Sequence, residues 1–238
     1  MSYITAIGTA NPAHRFKQTQ IADFMVRAMQ LNKGESRKLR AIFKASGIDY
    51  RYSVLGDYGL ESDYTFYANT TDLQPFPSTA DRLRIFCKEA VDLSTAAVGN
   101  LSWKFPEFKP GEITHLITVS CTGMYAPGLD IDLVKRLNLP TSVQRTGINF
   151  MGCYAAFNAL KAADAFCRVD KSTKVLIVCV ELCSLHFQRE PTEDNLIANA
   201  LFSDGAAALL VEAETNAPLR LRPESFCSDL AIEGERDM

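Results

Sequence analysis

Between residues 114 and 211 the chain alternates short, nearly unbroken apolar runs with segments of helical spacing, and this alternation limits its fold more than any other feature. Residues 114–120 (THLITVS), 142–149, 174–181 (KVLIVCVE) and 203–211 (SDGAAALLV) are predicted strands. Helices are predicted between them over 128–137, with Pro127 at the start, and over 154–167 and 195–201. Strands apolar on both sides need cover on both faces, so the class is α/β with layered helices. Upstream, residues 3–8 predict a strand ending in the turn GTANP. Ile21, Phe24, Met25, Ala28 and Met29 repeat at helical spacing over 18–30. A basic helix is predicted over 33–46, closed by Gly47, and a long one over 79–101 with Ser78 as its cap. Residues 53–77 read as an irregular covering segment.

Several function classes are excluded by composition. The net charge of −3 and the absence of a basic block argue against nucleic acid and anionic membranes as partners. The longest apolar stretch, 175–185, is interrupted by Glu181 and too short to span a bilayer. The start MSYITAIGTANP lacks the features of a secretion signal, so a cytoplasmic location is expected. Seven cysteines, an odd number, argue against a disulfide framework. Cys87, Cys167 and Cys227 read as packing residues. Cys179, Cys183 and His186 have a zinc-like spacing, but Cys179 falls inside a predicted strand and no fourth ligand is near, so no metal is expected.

Cys153 differs from the others. Gly152-Cys153-Tyr154 lies between a predicted strand and a predicted helix, where the positive end of the helix dipole favours a thiolate. Gly152 permits a sharp turn, so the arrangement is a nucleophile elbow with sulfur in place of a hydroxyl. The helix that follows carries Ala155, Ala156, Ala159, Ala162 and Ala163, and is expected to lie buried with sheets on either side. His14, His115 and His186 are the only histidines, and none is evidently the base for Cys153.

Six blocks in order then resemble a known family: GTANP at 8–12, ITHLITVSCTG at 113–123, PGLDIDLVKRLNL at 127–139, MGCYAAFNALKAAD at 151–164, KVLIVCVELCSLHF at 174–187 and ALFSDGAAALLV at 200–211. They are similar to the type III polyketide synthases, the chalcone synthase-like branch of the thiolase-fold condensing enzymes, in its bacterial form. The resemblance implies a homodimeric thiolase-like fold of layered αβαβα architecture, of which residues 1–215 would form the amino-terminal domain and 216–238 the start of a second half. It implies an acyl-CoA starter on Cys153, extended with malonyl-CoA, and no cofactor. Phe202 falls on a gatekeeper position, and Lys38, Arg40 and Lys44 lie on the helix that corresponds to the CoA-binding region. The family's catalytic His and Asn belong to the second half, so the chain reads as a fragment, inactive or poorly soluble alone.

Departures from the plant pattern bear on substrate. Position 126 is Ala where plant enzymes carry a Met reaching the partner's cavity, and Cys121, Cys183 and His186 stand where they have pocket threonines. Small side chains at 126 and 183 resemble bacterial members that take long acyl chains, with alkylpyrone or alkylresorcinol products, whereas His186 is bulkier than that pattern. The alternatives are an initiating ketoacyl-carrier-protein synthase, another thiolase-fold condensing enzyme, or an inactive dimerising fragment.

Overall fold

A computed structural model describes residues 1–218 and 220–234. Its centre is a five-stranded sheet in the order β1 (Tyr3–Ala10), β7 (Asp204–Glu212), β6 (Lys174–Leu182), β4 (His115–Ser120), β5 (Gln144–Asn149). β4, β5 and β6 are parallel, while β7 runs antiparallel to both β6 and β1. Leu116, Ile117, Leu176, Ile177 and Val178 are buried, which accounts for the unbroken apolar runs of the inner strands β4 and β6. A separate two-stranded antiparallel sheet pairs β2 (His14–Lys17) with β3 (Tyr50–Ser53).

Helix α3 (Thr79–Lys104) covers one face of the sheet. Ser78 caps it by accepting from the Asp81 amide at 3.2 Å, and Phe86, Ala90, Leu93, Ala97 and Leu101 form its buried stripe. Gly8 of β1 permits the contact. A Cβ there would stand 2.3 Å from the Ala97 carbonyl oxygen and from the Leu101 nitrogen, both backbone atoms. α1 (Gln18–Ala28), α2 (Lys33–Ala45), α4 (Leu129–Arg136) and α6 (Glu193–Leu201) complete the periphery.

Helix α5 (Ala155–Val169) lies on the opposite face of the sheet. Ala155, Ala159, Ala163 and Cys167 pack against Ile117, Val175 and Ile177. Of the sheets expected on either side of this helix, the described residues supply one: Phe157 on its outer side is exposed. Alanine at every fourth position serves that close helix-to-sheet approach.

The 53–77 segment has little regular structure, as predicted, yet it is firmly tied. Asp57 is fully buried and accepts from the Thr65 amide at 3.0 Å, the Thr65 hydroxyl at 2.7 Å, the Phe66 amide at 2.8 Å and the Tyr67 amide at 2.9 Å. Phe24, Tyr58, Tyr67 and Phe187 pack edge-on around it. Among the described residues, no helix is long and apolar enough to cross a membrane.

Candidate active site

β5 ends at Asn149, and the chain then passes through Phe150 (φ 56°) and Gly152 (φ 60°), both left-handed. A Cβ on Gly152 would meet nothing within 4 Å, so torsion rather than space favours glycine. Cys153 sits in the single 3-10 turn Gly152–Tyr154 that runs into α5, with its side chain exposed. The strand, sharp turn and helix expected around this residue are therefore present, with the 3-10 turn interposed.

Cys153 faces a cavity of about 390 Å³ that also takes in Cys121, Cys183, His186, Phe202 and Glu181. The structure thus brings together five of the residues singled out in sequence: Cys121, Cys153, Cys183, His186 and Phe202. Ala126 is outside the cavity, exposed on the loop before α4. Lys38, Arg40 and Lys44 are exposed on α2 and do not line it either. Lys38 pairs with Glu193 at 2.7 Å, Arg40 pairs with Asp23, and Arg40 and Lys44 border a different cavity between α1, α2 and β3.

The cavity has a polar corner that sequence reasoning missed. Glu181 accepts from the Cys121 amide at 2.9 and 3.1 Å and from the Thr122 hydroxyl at 2.7 Å. The Leu182 amide donates to that same hydroxyl oxygen at 2.9 Å. The available signal was a single carboxylate in an otherwise apolar strand. Burial raises the Glu181 pKa above the usual carboxylate range, and the bonds from Thr122 and Cys121 oppose the rise without cancelling it. A raised carboxyl favours the folded state below its ordinary pKa, and that contribution is lost as pH climbs through the raised value. Glu181→Gln removes this titration. Denaturant unfolding at stepped pH should therefore show wild type losing stability relative to Glu181→Gln on going from about pH 4 to neutrality. Parallel curves would contradict it.

His186, expected among the pocket residues but not as the base for Cys153, does share the cavity. Its Nε2 lies 2.6 Å from the Thr122 carbonyl oxygen, which can only accept, so Nε2 carries a proton and donates. Burial pushes Cys183 up to about 12 and Cys179 to about 11, which leaves both as thiols at neutral pH. Cys227, read as a packing residue, is exposed in the tail after β7, and Cys87 is only half-buried; Cys167 is buried as expected. No group of three or more His, Cys, Asp or Glu among the described residues is arranged to hold a metal.

Arg51 of β3 borders the same cavity and is almost wholly buried. Desolvation lowers its pKa to about 10, so it remains a cation at neutral pH. It donates from Nε to Gln18 Oε1 and from a terminal nitrogen to the Phe202 carbonyl, each at 2.7 Å. β3 continues this contact along the chain. The Ser203 hydroxyl accepts from the Tyr52 amide at 3.0 Å and donates to the Tyr52 carbonyl at 2.8 Å, and Asp204 accepts from the Val54 amide at 2.8 Å.

Comparison with known proteins gives a consistent result. The family model described as chalcone and stilbene synthases, N-terminal domain, matches residues 1–215. An alpha-pyrone synthesis polyketide synthase-like protein of Mycobacterium tuberculosis is 31% identical over 218 residues, 90% of this chain and 52% of that one. Among solved structures, PKS-I from the brown alga Ectocarpus siliculosus superposes with a TM-score of 0.81 at 29% identity, covering 95% of this chain and 58% of that one. The C-terminal type III polyketide synthase domain of Steely1 from Dictyostelium gives a TM-score of 0.80 at 28% identity, covering 90% and 56%. The chain spans little more than half the length of each of these three proteins.

Proposed function

Because the chain belongs to the chalcone and stilbene synthase family, matching its N-terminal domain over residues 1–215, we propose that it carries the acyl-loading half of a type III polyketide synthase reaction. The observation that carries this reading is Cys153 itself: an exposed thiol at the head of α5, opening into a cavity shared with Phe202 and with Cys183, whose thiol burial keeps protonated. The Cys153 thiolate attacks the carbonyl of an acyl-CoA thioester, and CoA leaves as its thiol. Malonyl-CoA then loses carbon dioxide, and the resulting enolate carbon attacks the Cys153 thioester. The new carbon–carbon bond leaves the chain on CoA and frees Cys153. CoA thioesters are the substrates throughout, and no resident cofactor takes part. The His and Asn that stabilise the enolate in the family belong to the second half implied by the resemblance.

A fatty acyl starter and an alkylpyrone or alkylresorcinol-type product fit this cavity best. Of the two small positions behind this reading, Cys183 lines the cavity and Ala126 does not, with the bulkier His186 also in the lining, and the mycobacterial relative is named for alpha-pyrone synthesis. Lys38, Arg40 and Lys44 meet the CoA phosphates in this reading. The ion pairs at Lys38 and Arg40 are exposed, so water and salt already weaken them and they are readily exchanged for phosphate. In this reading the protein acts in the cytoplasm as a homodimer, and Ala126, the position from which the plant enzymes reach the partner's cavity, is exposed.

The test is to supply the intact protein with dodecanoyl-CoA and either malonyl-CoA or malonyl-carrier protein as extender. Alkylpyrones formed from malonyl-CoA are the expected result. Turnover with malonyl-carrier protein alone would replace this reading with an initiating ketoacyl-carrier-protein synthase, and turnover with aromatic starters only would remove the fatty acyl assignment.

A further inference from the structure

We propose that Arg51 and Gln18 are positioning residues that clamp the backbone of Phe202 and so set the aperture through which acyl groups reach Cys153. This inference rests on reading Phe202 as the gate of the cavity.

Three observations carry it. First, the clamp grips both ends of a three-residue segment. Gln18 Nε2 donates to the Ala200 carbonyl at 2.8 Å, and Arg51 donates to the Phe202 carbonyl at 2.7 Å. These carbonyls lie at the end of α6, where the last turn has no helical partners and usually turns to water. Here two buried side chains, 5% and 6% exposed, take them, and Arg51 Nε ties the two together through Gln18 Oε1. Second, the Phe202 residue is 53% exposed, so surrounding atoms do little to fix its ring. What orients the ring is the direction of its backbone, which the clamp holds. Third, Arg51 is an expensive way to hold a fold together. It is a dehydrated cation lying over the Phe43 ring at 5.3 Å, and its other terminal nitrogen has no hydrogen-bond partner among the described residues. An apolar side chain of similar shape usually serves stability as well or better. The bonds from Tyr52 and Val54 already secure Ser203 and Asp204, so loss of the clamp leaves β3 and β7 joined and frees only residues 200–202.

The experiment measures Cys153 labelling in the intact protein by iodoacetamide and by N-hexadecyl iodoacetamide, read by peptide mass spectrometry. These reagents need only the thiol and a path to it. Phe202→Ala opens the gate directly and should raise the long-to-short rate ratio. Arg51→Met and Gln18→Met should raise it in the same direction by about 10-fold, within what a displacement of ~1 Å costs elsewhere in positioning groups. Arg51→Lys, which keeps one donor towards Phe202, should return most of the wild-type ratio. A merely structural role for Arg51 and Gln18 would lower the unfolding midpoint or slow both reagents alike while leaving the ratio unchanged. If Phe202→Ala raises the ratio and neither methionine variant does, the clamp is wrong and the gate stands. If Phe202→Ala also leaves the ratio unchanged, the gate reading falls and the clamp with it. Gln18→Met provides the result should Arg51→Met not fold.

Discussion

Cys153→Ala should abolish acyl transfer from CoA, lowering the loading rate at least about 1,000-fold, the scale seen when a covalent nucleophile is removed. The loss should come without a loss of fold. Cys153 is exposed, and substitutions at such positions usually shift stability by within about 0.5 kcal/mol. Cys153→Ser should be nearly as inactive, because a hydroxyl is far less ionised than a thiol at neutral pH. Cys227→Ala is the matched control, being the other exposed cysteine but outside the cavity. It should load at the wild-type rate. If Cys153→Ala retains loading, the nucleophile lies elsewhere, and the shared cavity would make Cys121 the next residue to examine.

The second large effect is on stability. Asp57→Ala removes the acceptor for four donors inside a segment with little other regular structure. A buried donor left unpaired costs about 1–3 kcal/mol, and partial relaxation of the loop should hold the total near ~4 kcal/mol. Urea unfolding should show this as a lower midpoint with a similar slope. The loss also reaches the cavity, because neighbouring Tyr58 lines it and donates to the Ser184 carbonyl at 2.7 Å. Asp57→Asn, which keeps a single acceptor oxygen, should fall between the two. A loss under about 1 kcal/mol for Asp57→Ala would mean that the aromatic packing of Phe24, Tyr58 and Tyr67 holds the loop by itself.

Periodicity made the interior legible. The spacing from Ile21 to Met29 predicted α1, and the apolar runs predicted β4 and β6, because burial on one face or on both leaves a direct trace in residue type. The two-stranded sheet of β2 and β3 left almost none. Each strand has four residues, and what pairs them is a partner more than thirty residues away. Strand direction was equally hidden, since β7 is largely apolar like the mutually parallel β4 and β6 yet runs against β6. At the site, the elbow could be read from Gly152-Cys153 followed by alanines, because torsion and close packing restrict residue type. The polar corner could not. Glu181, Thr122 and His186 meet through contacts spanning 59 and 64 residues, and a lone charge in a strand does not reveal what will satisfy it. The basic helix shows the opposite limit: the sequence displays its cations but not Glu193, which folding brings to Lys38 from 155 residues away.

Whether Cys153 carries the acyl group is tested most directly by incubating the intact protein with dodecanoyl-CoA, without extender, and following it by mass spectrometry and peptide mapping. One dodecanoyl group per chain is expected, attached to Cys153 and released by hydroxylamine as a thioester should be. An unchanged mass, or acylation spread over Cys227 and the half-buried thiols with Cys153 unmodified, would contradict it.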